Sequence, residues 1–367
     1  MIRATYEIEP AGAAQTVALR ASIGMEGGPD WARGRVVSES EGTAVLEFPE
    51  GNWGDNVALV VSVLVAGEGA ETGAVTRCRL VGLEFPDRFL PGPAFGPAAQ
   101  AAPIGVGVIV KPSLGLAPDE VGDVARAAVA GGADFIKDDE ILGDPEWCPL
   151  DERVRAVAKA LEPGVVYCAN ITGPSVTLVE RARRAVDLGA TGVMVNAFAQ
   201  GLDSVLALRE ADLGVPILAH RAGSGALARN DRFGARGAVL ARLCRLCGAD
   251  YLIVGAFGGA LFESDEEVRA NLDAVRGECG STGPAIAAFG GGLGPHSVAA
   301  QVEKAGGSGL LMLVGSQAYA HPGGIEGGVR AAVEAVRSAR PVGPAGAVGP
   351  VGAPAGPVGP VGAPVAP

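Results

Sequence analysis

Lysine is scarce in this chain of 367 residues, which has only Lys111, Lys137, Lys159 and Lys304. Aromatic residues make up 5% of the sequence, and no uninterrupted apolar run reaches the roughly 18 residues of a transmembrane helix. The formal net charge of −12 argues against nucleic acid or an anionic membrane as a partner. The six cysteines are scattered and the N-terminal sequence MIRATYEIEP is not a signal peptide, so we expect a cytoplasmic protein with free thiols.

Glycine and proline are abundant, and part of this excess lies in residues 341–367, which contain no charged or aromatic side chain. Glycine recurs there every third residue, but the spacing slips at Gly356. This slip argues against the alternative of a collagen strand, because a triple helix needs glycine at every third position. We therefore expect a disordered, polyproline-II-like tail.

A second cluster of proline and glycine, at residues 91–103, separates two regions of different pattern. Before it, short apolar runs such as residues 43–48 and 57–65 alternate with loops and are interpreted as strands. This pattern predicts a small α+β domain over residues 1–100.

After this cluster, eight apolar runs alternate with segments of helical spacing. Continuously apolar strands between helices are typical of a parallel sheet buried on both faces, and eight units match a (β/α)8 (TIM) barrel over residues 101–340. A doubly wound open sheet is the alternative, but no G-x-G-x-x-G follows the first strand. The eight runs are residues 105–110, 133–139, 165–172, 192–197, 216–221, 250–258, 285–292 and 309–316.

Polar and glycine residues collect where these strands end, which is where barrel enzymes form their active sites. Two of the four lysines are among them, and an amine can lose its proton, form a Schiff base or accept CO2 as a carbamate. Lys159 and Lys304 fall on helical segments instead. The candidate site residues are Lys111, Lys137, Asp139, Glu140, His220, Arg221, Gly292, Gly315 and Ser316, and Asn170, Thr172 and Asn196 also follow strands.

The strand-end residues suggest a metal site and a phosphate site. Asp139 and Glu140 offer the oxygen ligands that Mg2+ prefers, and a carbamate on Lys137 would be a third. The glycines that end the last two strands let backbone N–H groups approach a phosphate, and Arg221 offers a complementary charge.

Two segments resemble the large chain of ribulose-bisphosphate carboxylase (RuBisCO). The sequence VKPSLGL at residues 110–116 is similar to that family's K-P-K-L-G-L segment, and DFIKDDE at residues 134–140 to its D-F-x-K-D-D-E metal motif. Weaker matches are GPAFG at 92–96, HR at 220–221, GGL at 291–293 and HP at 321–322, in the same order.

The resemblance implies a small ferredoxin-like α+β N-terminal domain, a TIM barrel, and a homodimer whose active sites lie between one barrel and the partner's N-terminal domain. It also implies that Lys137, as a carbamate, binds Mg2+ together with Asp139 and Glu140, and that Lys111 is a catalytic acid or base. His220 and Arg221 would face a phosphorylated substrate, with Gly292, Gly315 and Ser316 near its other end.

Departures from the family pattern point to its non-carboxylating branch, the RuBisCO-like (form IV) proteins. Ser113 replaces the second lysine of K-P-K, and the loop FGGAL at residues 257–261 lacks the lysine that a carboxylase needs. What remains is enolisation, with Lys111 or the Lys137 carbamate as base. We expect isomerisation of a methylthioribulose phosphate; alternatives within the family are a diketo-methylthiopentyl-phosphate enolase and a decarboxylase or transcarboxylase of a branched oxo-acid phosphate. A class I aldolase and a catalytically silent regulatory protein are rivals from other classes.

Overall fold

A computed structural model describes residues 1–24, 27–65, 67–86, 90–96 and 104–339. The predicted tail at 341–367 and the predicted domain boundary near residue 100 lie outside the described residues. Among the described residues, no helix is both long and apolar enough to cross a membrane.

The N-terminal region forms a twisted mixed sheet from four of its own strands and one strand from further along the chain. Its own strands are β1 (Ile2–Glu9), β2 (Arg35–Ser40), β3 (Thr43–Phe48) and β4 (Arg77–Glu84). They pair antiparallel in the order β4-β1-β3-β2, the arrangement expected of a ferredoxin-like α+β unit. The fifth strand, β10 (Phe233–Ala235), adds to β4 in parallel and ties this sheet to the barrel. A helix between β1 and β2 spans Ala14–Arg20.

The expectation of a strand at residues 57–65 was wrong, because this segment is helical. An α-helix at Val57–Val60 continues into a π-helical turn at Val61–Val65. A short apolar run does not distinguish a strand from a buried helix. The local helix signal is Asn56, whose side chain accepts a hydrogen bond from the Leu59 N–H and so caps the helix.

Within the described residues, eight parallel strands close into a barrel, which excludes the open sheet. All eight predicted strands are confirmed. In chain order the barrel strands are β5 (Gly105–Ile109), β6 (Phe135–Lys137), β7 (Val166–Asn170), β8 (Gly192–Asn196), β9 (Ile217–His220), β11 (Tyr251–Val254), β12 (Ile286–Phe289) and β13 (Leu310–Val314). The helices that pack outside them are Pro118–Ala130, Leu150–Ala158, Leu178–Asp187, Asp203–Glu210, Gly237–Leu246, Asp265–Arg276, Val298–Ala305 and Gly324–Ser338.

Alternate residues of each barrel strand belong to two separate hydrophobic cores. On β13, Leu311 and Leu313 fill the barrel interior, whereas Leu310, Met312 and Val314 pack against the outer helices. This two-sided burial explains why the strands are apolar without a break.

Candidate active site

The alternation of side chains along the strands carries polar residues to the mouth of the barrel. Phe135 fills the interior, so Lys137, two residues later on the same side of β6, stands at its mouth. His220 follows Leu218 on β9 in the same way, and Gly315 follows Leu313 directly after the end of β13. Lys137, His220 and Gly315 therefore come together because they continue the inward-facing rows of their strands.

A cavity of about 470 Å3 opens at this mouth. Asp139 is not among its lining residues; it is buried, and its carboxylate contacts Lys111 Nζ. The cavity also has an apolar wall formed by Leu261 and Phe262 from the loop after β11. Its lining includes eight of the nine predicted residues, Lys111, Lys137, Glu140, His220, Arg221, Gly292, Gly315 and Ser316.

Each of the two lysines is paired with one of the two carboxylates. Lys111 Nζ lies 2.5 Å from Asp139 Oδ2 and donates to Ser113 Oγ at 2.8 Å. Lys137 Nζ is fully buried, donates to the Asp138 carbonyl at 2.8 Å, and lies 3.2 Å from Glu140 Oε2. The net charge of these four groups is therefore zero while both lysines are ammonium ions.

Burial and neighbouring charges shift the pKa values of Lys137, Glu140 and His220. Burial lowers the pKa of Lys137, despite the nearby carboxylates. Burial also raises the pKa of Glu140, but attraction to Lys137 and His220 outweighs it and brings the pKa to about 2. Burial, and then repulsion from Lys137, lower the pKa of His220 to about 3, so its imidazole is neutral near pH 7. His220 Nδ1 accepts from the Ala222 N–H at 3.1 Å, and Nε2 lies 3.4 Å from Glu140 Oε2.

The unmodified side chains do not by themselves form a metal centre. In the part of the chain that the structure describes, no three or more His, Cys, Asp or Glu side chains are grouped to hold a metal ion. A carbamate on Lys137 would add the missing oxygen ligand beside Asp139 and Glu140. It would also change the charge of the four groups from zero to about −2, which suits a divalent cation. The residues therefore fit Mg2+ when Lys137 carries CO2.

Asp138, inside the K-D-D-E motif, faces the helix layer and holds the metal-motif loop in place. Its Oδ2 accepts from Arg153 Nε at 3.0 Å and from the Asn170 N–H at 2.9 Å, and Oδ1 accepts from the Tyr167 hydroxyl at 2.9 Å. Both Asp138 and Arg153 are fully buried. Arg153 also donates to the Gly143 carbonyl at 2.9 Å, which fixes the loop after β6.

We expect Asp138→Asn to lower the free energy of unfolding by about 3 kcal/mol, because it leaves the Arg153 charge buried without its anion. Asp123→Asn is the matched control, since Asp123 and its partner Arg126 are exposed and their ion pair contributes about 1 kcal/mol or less. Urea denaturation monitored by circular dichroism measures both variants. Equal effects of the two substitutions would contradict a structural role for Asp138.

Two asparagines noted at the strand ends position the motif's backbone. Asn170 Nδ2 lies 3.2 Å from the carbonyls of both Asp139 and Glu140, and 3.1 Å from that of Leu142. Asn196 Nδ2 donates to the Glu140 carbonyl at 2.8 Å. These contacts hold the backbone at Asp139 and Glu140 and so fix the direction in which their side chains project.

Glycines form the opposite corner of the cavity. Gly291 and Gly292 have φ values of +99° and +87°, which L side chains rarely adopt, and a Cβ on Gly291 would lie 2.7 Å from Leu261 Cγ. A Cβ on Gly315 would meet nothing nearer than Ile109 Cδ1 at 4.0 Å, so backbone there borders open space. We call residues 290–292 and 315–316 the glycine corner; it provides room for an anionic group against backbone N–H groups.

Two residues that contact the predicted site were not among the residues predicted from the sequence. The hydroxyl of Tyr319 accepts from the Lys111 N–H at 2.8 Å and donates to the Ile109 carbonyl at 2.9 Å, which fixes the end of β5. Glu263, in the loop after β11, forms an ion pair with Arg221. In each contact, Tyr319 with Lys111 and Glu263 with Arg221, the two residues are far apart in sequence. No local spacing in the sequence therefore reveals either contact.

The fold and the site together define a (β/α)8-barrel enzyme whose site lies at the carboxyl ends of the strands. Residues 98–344 match the family model of the ribulose bisphosphate carboxylase large chain, catalytic domain, and the chain therefore belongs to the RuBisCO large-chain family. The RuBisCO-like branch inferred from the sequence is confirmed by relatives that bear that name.

Three known proteins illustrate the similarity. A ribulose bisphosphate carboxylase-like protein of Allochromatium vinosum is 34% identical over 79% of this chain and 68% of its own length. A 2,3-diketo-5-methylthiopentyl-1-phosphate enolase of Bacillus licheniformis is 30% identical over 84% of this chain and 82% of its own. The crystal structure of a RuBisCO-like protein from Burkholderia fungorum superimposes with a TM-score of 0.83 at 26% identity, over 92% of this chain and 93% of that one.

Proposed function

We propose that this chain enolises or isomerises a phosphorylated ketose, such as a methylthioribulose phosphate, and does not fix CO2 on ribulose bisphosphate. The observation that carries the proposal is the meeting of Lys111, Lys137 and Glu140 in one cavity whose lining residues include no further lysine. The whole sequence has no lysine between Lys159 and Lys304, so the loop after β11 has no amine to hold an incoming carboxyl group.

The cofactors we propose are Mg2+ and a CO2-derived carbamate on Lys137. A neutral amine attacks CO2 to give a carbamate and releases one proton, and burial favours that neutral amine by lowering the pKa of Lys137. Asp139 and Glu140 would complete the metal site. When bound, Mg2+ would supply positive charge that stabilises the enolate oxygen of the substrate.

The chain's own residues would orient the substrate and move its proton. Lys111 would transfer a proton at the carbon next to the carbonyl, with the Lys137 carbamate as the alternative base; its position at the cavity and its 29% exposure support this role. A phosphate would bind at the glycine corner or at Arg221. The apolar wall of Leu261 and Phe262 supports a substrate with an apolar substituent.

The fully buried Lys137 also bears on the class I aldolase. A Schiff base at this position would require a sugar carbonyl to reach an Nζ that has no exposed surface, whereas CO2 is small and linear. Borohydride trapping of substrate on the protein tests that rival directly. We also propose a homodimeric assembly, on the basis of family membership.

The function is tested by incubating the protein with Mg2+, bicarbonate and ketose monophosphates in D2O, and following C–H exchange by NMR. We expect exchange at the carbon next to the carbonyl. Absence of exchange with every ketose phosphate would refute the proposal, and release of CO2 from a branched oxo-acid phosphate would favour the decarboxylase instead. Substantial carboxylation of ribulose bisphosphate would show that the missing loop lysine is not decisive.

Mg2+ binding is expected to depend on CO2, because only the carbamate supplies the third oxygen ligand. Calorimetry in CO2-free buffer should give an affinity about tenfold or more weaker than in bicarbonate, since one anionic ligand contributes 1.4 kcal/mol or more. A carbamate signal from 13C-bicarbonate should appear in the wild type and be absent from Lys137→Met. Activation should increase with pH, because it is the neutral amine that reacts. Equal Mg2+ affinities with and without CO2 would contradict the proposed ligand set.

A further inference from the structure

Arg221, which borders the substrate cavity, is already bound to a buried carboxylate. Its Nη1 lies 2.7 Å from Oε1 and 2.8 Å from Oε2 of Glu263, whose side chain is only 4% exposed. Asn271 Nδ2 donates to the same Oε1 at 2.6 Å and fixes the carboxylate from behind. The guanidinium and its anion therefore form a neutral unit beside the cavity.

Gly255 provides the space that this carboxylate occupies. Tyr251 and Ile253 on β11 face the barrel interior, so by alternation residue 255, directly after the strand, is the next position that faces the mouth. It carries no side chain, and a Cβ built there would lie 2.3 Å from Glu263 Oε2. The carboxylate of Glu263 thus fills the space into which a longer side chain at residue 255 would project.

A phosphate at Arg221 would have to share the guanidinium with Glu263. Two anions would then lie within a few ångströms of each other at a poorly solvated site, where charges are weakly screened. Displacing Glu263 instead would separate a buried carboxylate from both of its partners, Arg221 and Asn271. Either route makes this side of the cavity unfavourable for a phosphate dianion.

We propose that Glu263 is a specificity-determining residue that closes the Arg221 side of the cavity to phosphate. The cavity then accepts a ketose monophosphate, with its phosphate at the glycine corner and an uncharged far end near Arg221 and Phe262, whose ring lies beside the Arg221 guanidinium. This inference rests on the proposed function only in taking a phosphorylated ketose as the ligand.

The test compares binding of ribulose 1-phosphate and ribulose 1,5-bisphosphate by calorimetry, without Mg2+ and in CO2-free buffer so that no turnover occurs. The wild type is expected to bind the bisphosphate no more tightly than the monophosphate. Glu263→Gln keeps the shape and an acceptor for Arg221 but removes the anion. It should tighten bisphosphate binding about tenfold or more, because a charge-assisted pair with phosphate becomes available, and change monophosphate binding by less than about twofold.

Two further variants separate this role from a general effect on the fold. Adding Arg221→Gln to Glu263→Gln should abolish the gain in bisphosphate affinity, because the Arg221 guanidinium is the group that the loss of the Glu263 anion makes available to phosphate. Gly255→Ala should give part of the gain without altering any charge, because its methyl group displaces the carboxylate. Thermal unfolding of each variant identifies any that fail to fold, and the wild-type preference tests the proposal even then.

The proposal is overturned if the wild type prefers the bisphosphate, or if Glu263→Gln leaves bisphosphate binding unchanged or weaker. It is also overturned if Glu263→Gln tightens binding of the monophosphate and the bisphosphate equally, because the phosphate of the monophosphate would then bind at Arg221. These binding results are independent of deuterium exchange. If no C–H exchange is seen but the expected binding pattern is, the proposed reaction is refuted and the role of Glu263 stands.

Discussion

Lys137→Met is expected to reduce C–H exchange in a ketose monophosphate by about 10³-fold or more. Methionine matches the length and apolar stem of the buried lysine but accepts no CO2, so the third metal ligand is lost. Metal stabilisation of a developing enolate is worth several kcal/mol, and each 1.4 kcal/mol is tenfold in rate. Exchange is measured by NMR in D2O with Mg2+ and bicarbonate present.

Lys159→Met is the matched control, because Lys159 is exposed on the outer helix layer away from the barrel mouth. It should keep the wild-type exchange rate within about twofold. Full activity of Lys137→Met would rule out the carbamate as a metal ligand. A loss of activity without CO2-dependent Mg2+ binding in the wild type would assign Lys137 a different catalytic role.

Several residues at the mouth of the barrel could be predicted because a residue at the end of a strand continues the inward–outward alternation of that strand. Lys137 and His220 continue the inward rows that begin at Phe135 and Leu218, and an unbroken apolar run with a polar end is visible in sequence. The N-terminal segment at residues 57–65 was misassigned because the apolar run itself fits either a strand or a helix, and the distinguishing cap, Asn56, is a single residue.

Contacts between distant loops could not be read from the sequence. Glu263 and Arg221 are 42 residues apart, and their ion pair forms only because β9 and β11 are neighbours in the closed barrel. Asp138 lies within a recognisable metal motif, yet its carboxylate turns to Arg153 and Tyr167 in the helix layer. The motif gave the residue types, whereas the direction of each side chain depends on packing that no spacing encodes.

Lys111→Met is expected to lower exchange by about 10³-fold while leaving the metal site functional. A positioned acid or base contributes about 10² to 10⁴ in rate, and Lys111 is the cavity-lining amine that is partly exposed to substrate. The carbamate signal on Lys137 should be unchanged in this variant. That combination separates a proton-transferring residue from a metal ligand, because Lys137→Met loses both the signal and the exchange.

The same substitution should strengthen Mg2+ binding in bicarbonate buffer. Lys111 Nζ lies 2.5 Å from Asp139 Oδ2, so in the metal-free protein an ammonium ion neutralises a carboxylate that we assign to the metal. If Asp139 binds Mg2+, the Lys111 ammonium would have to leave this carboxylate, and methionine removes that competition. Ser113→Ala is the milder control, since it removes only the hydroxyl that also contacts Nζ and leaves the ion pair in place. Weaker Mg2+ binding by Lys111→Met would mean that Lys111 supports the metal site, and its assignment as a proton-transferring group would then be wrong.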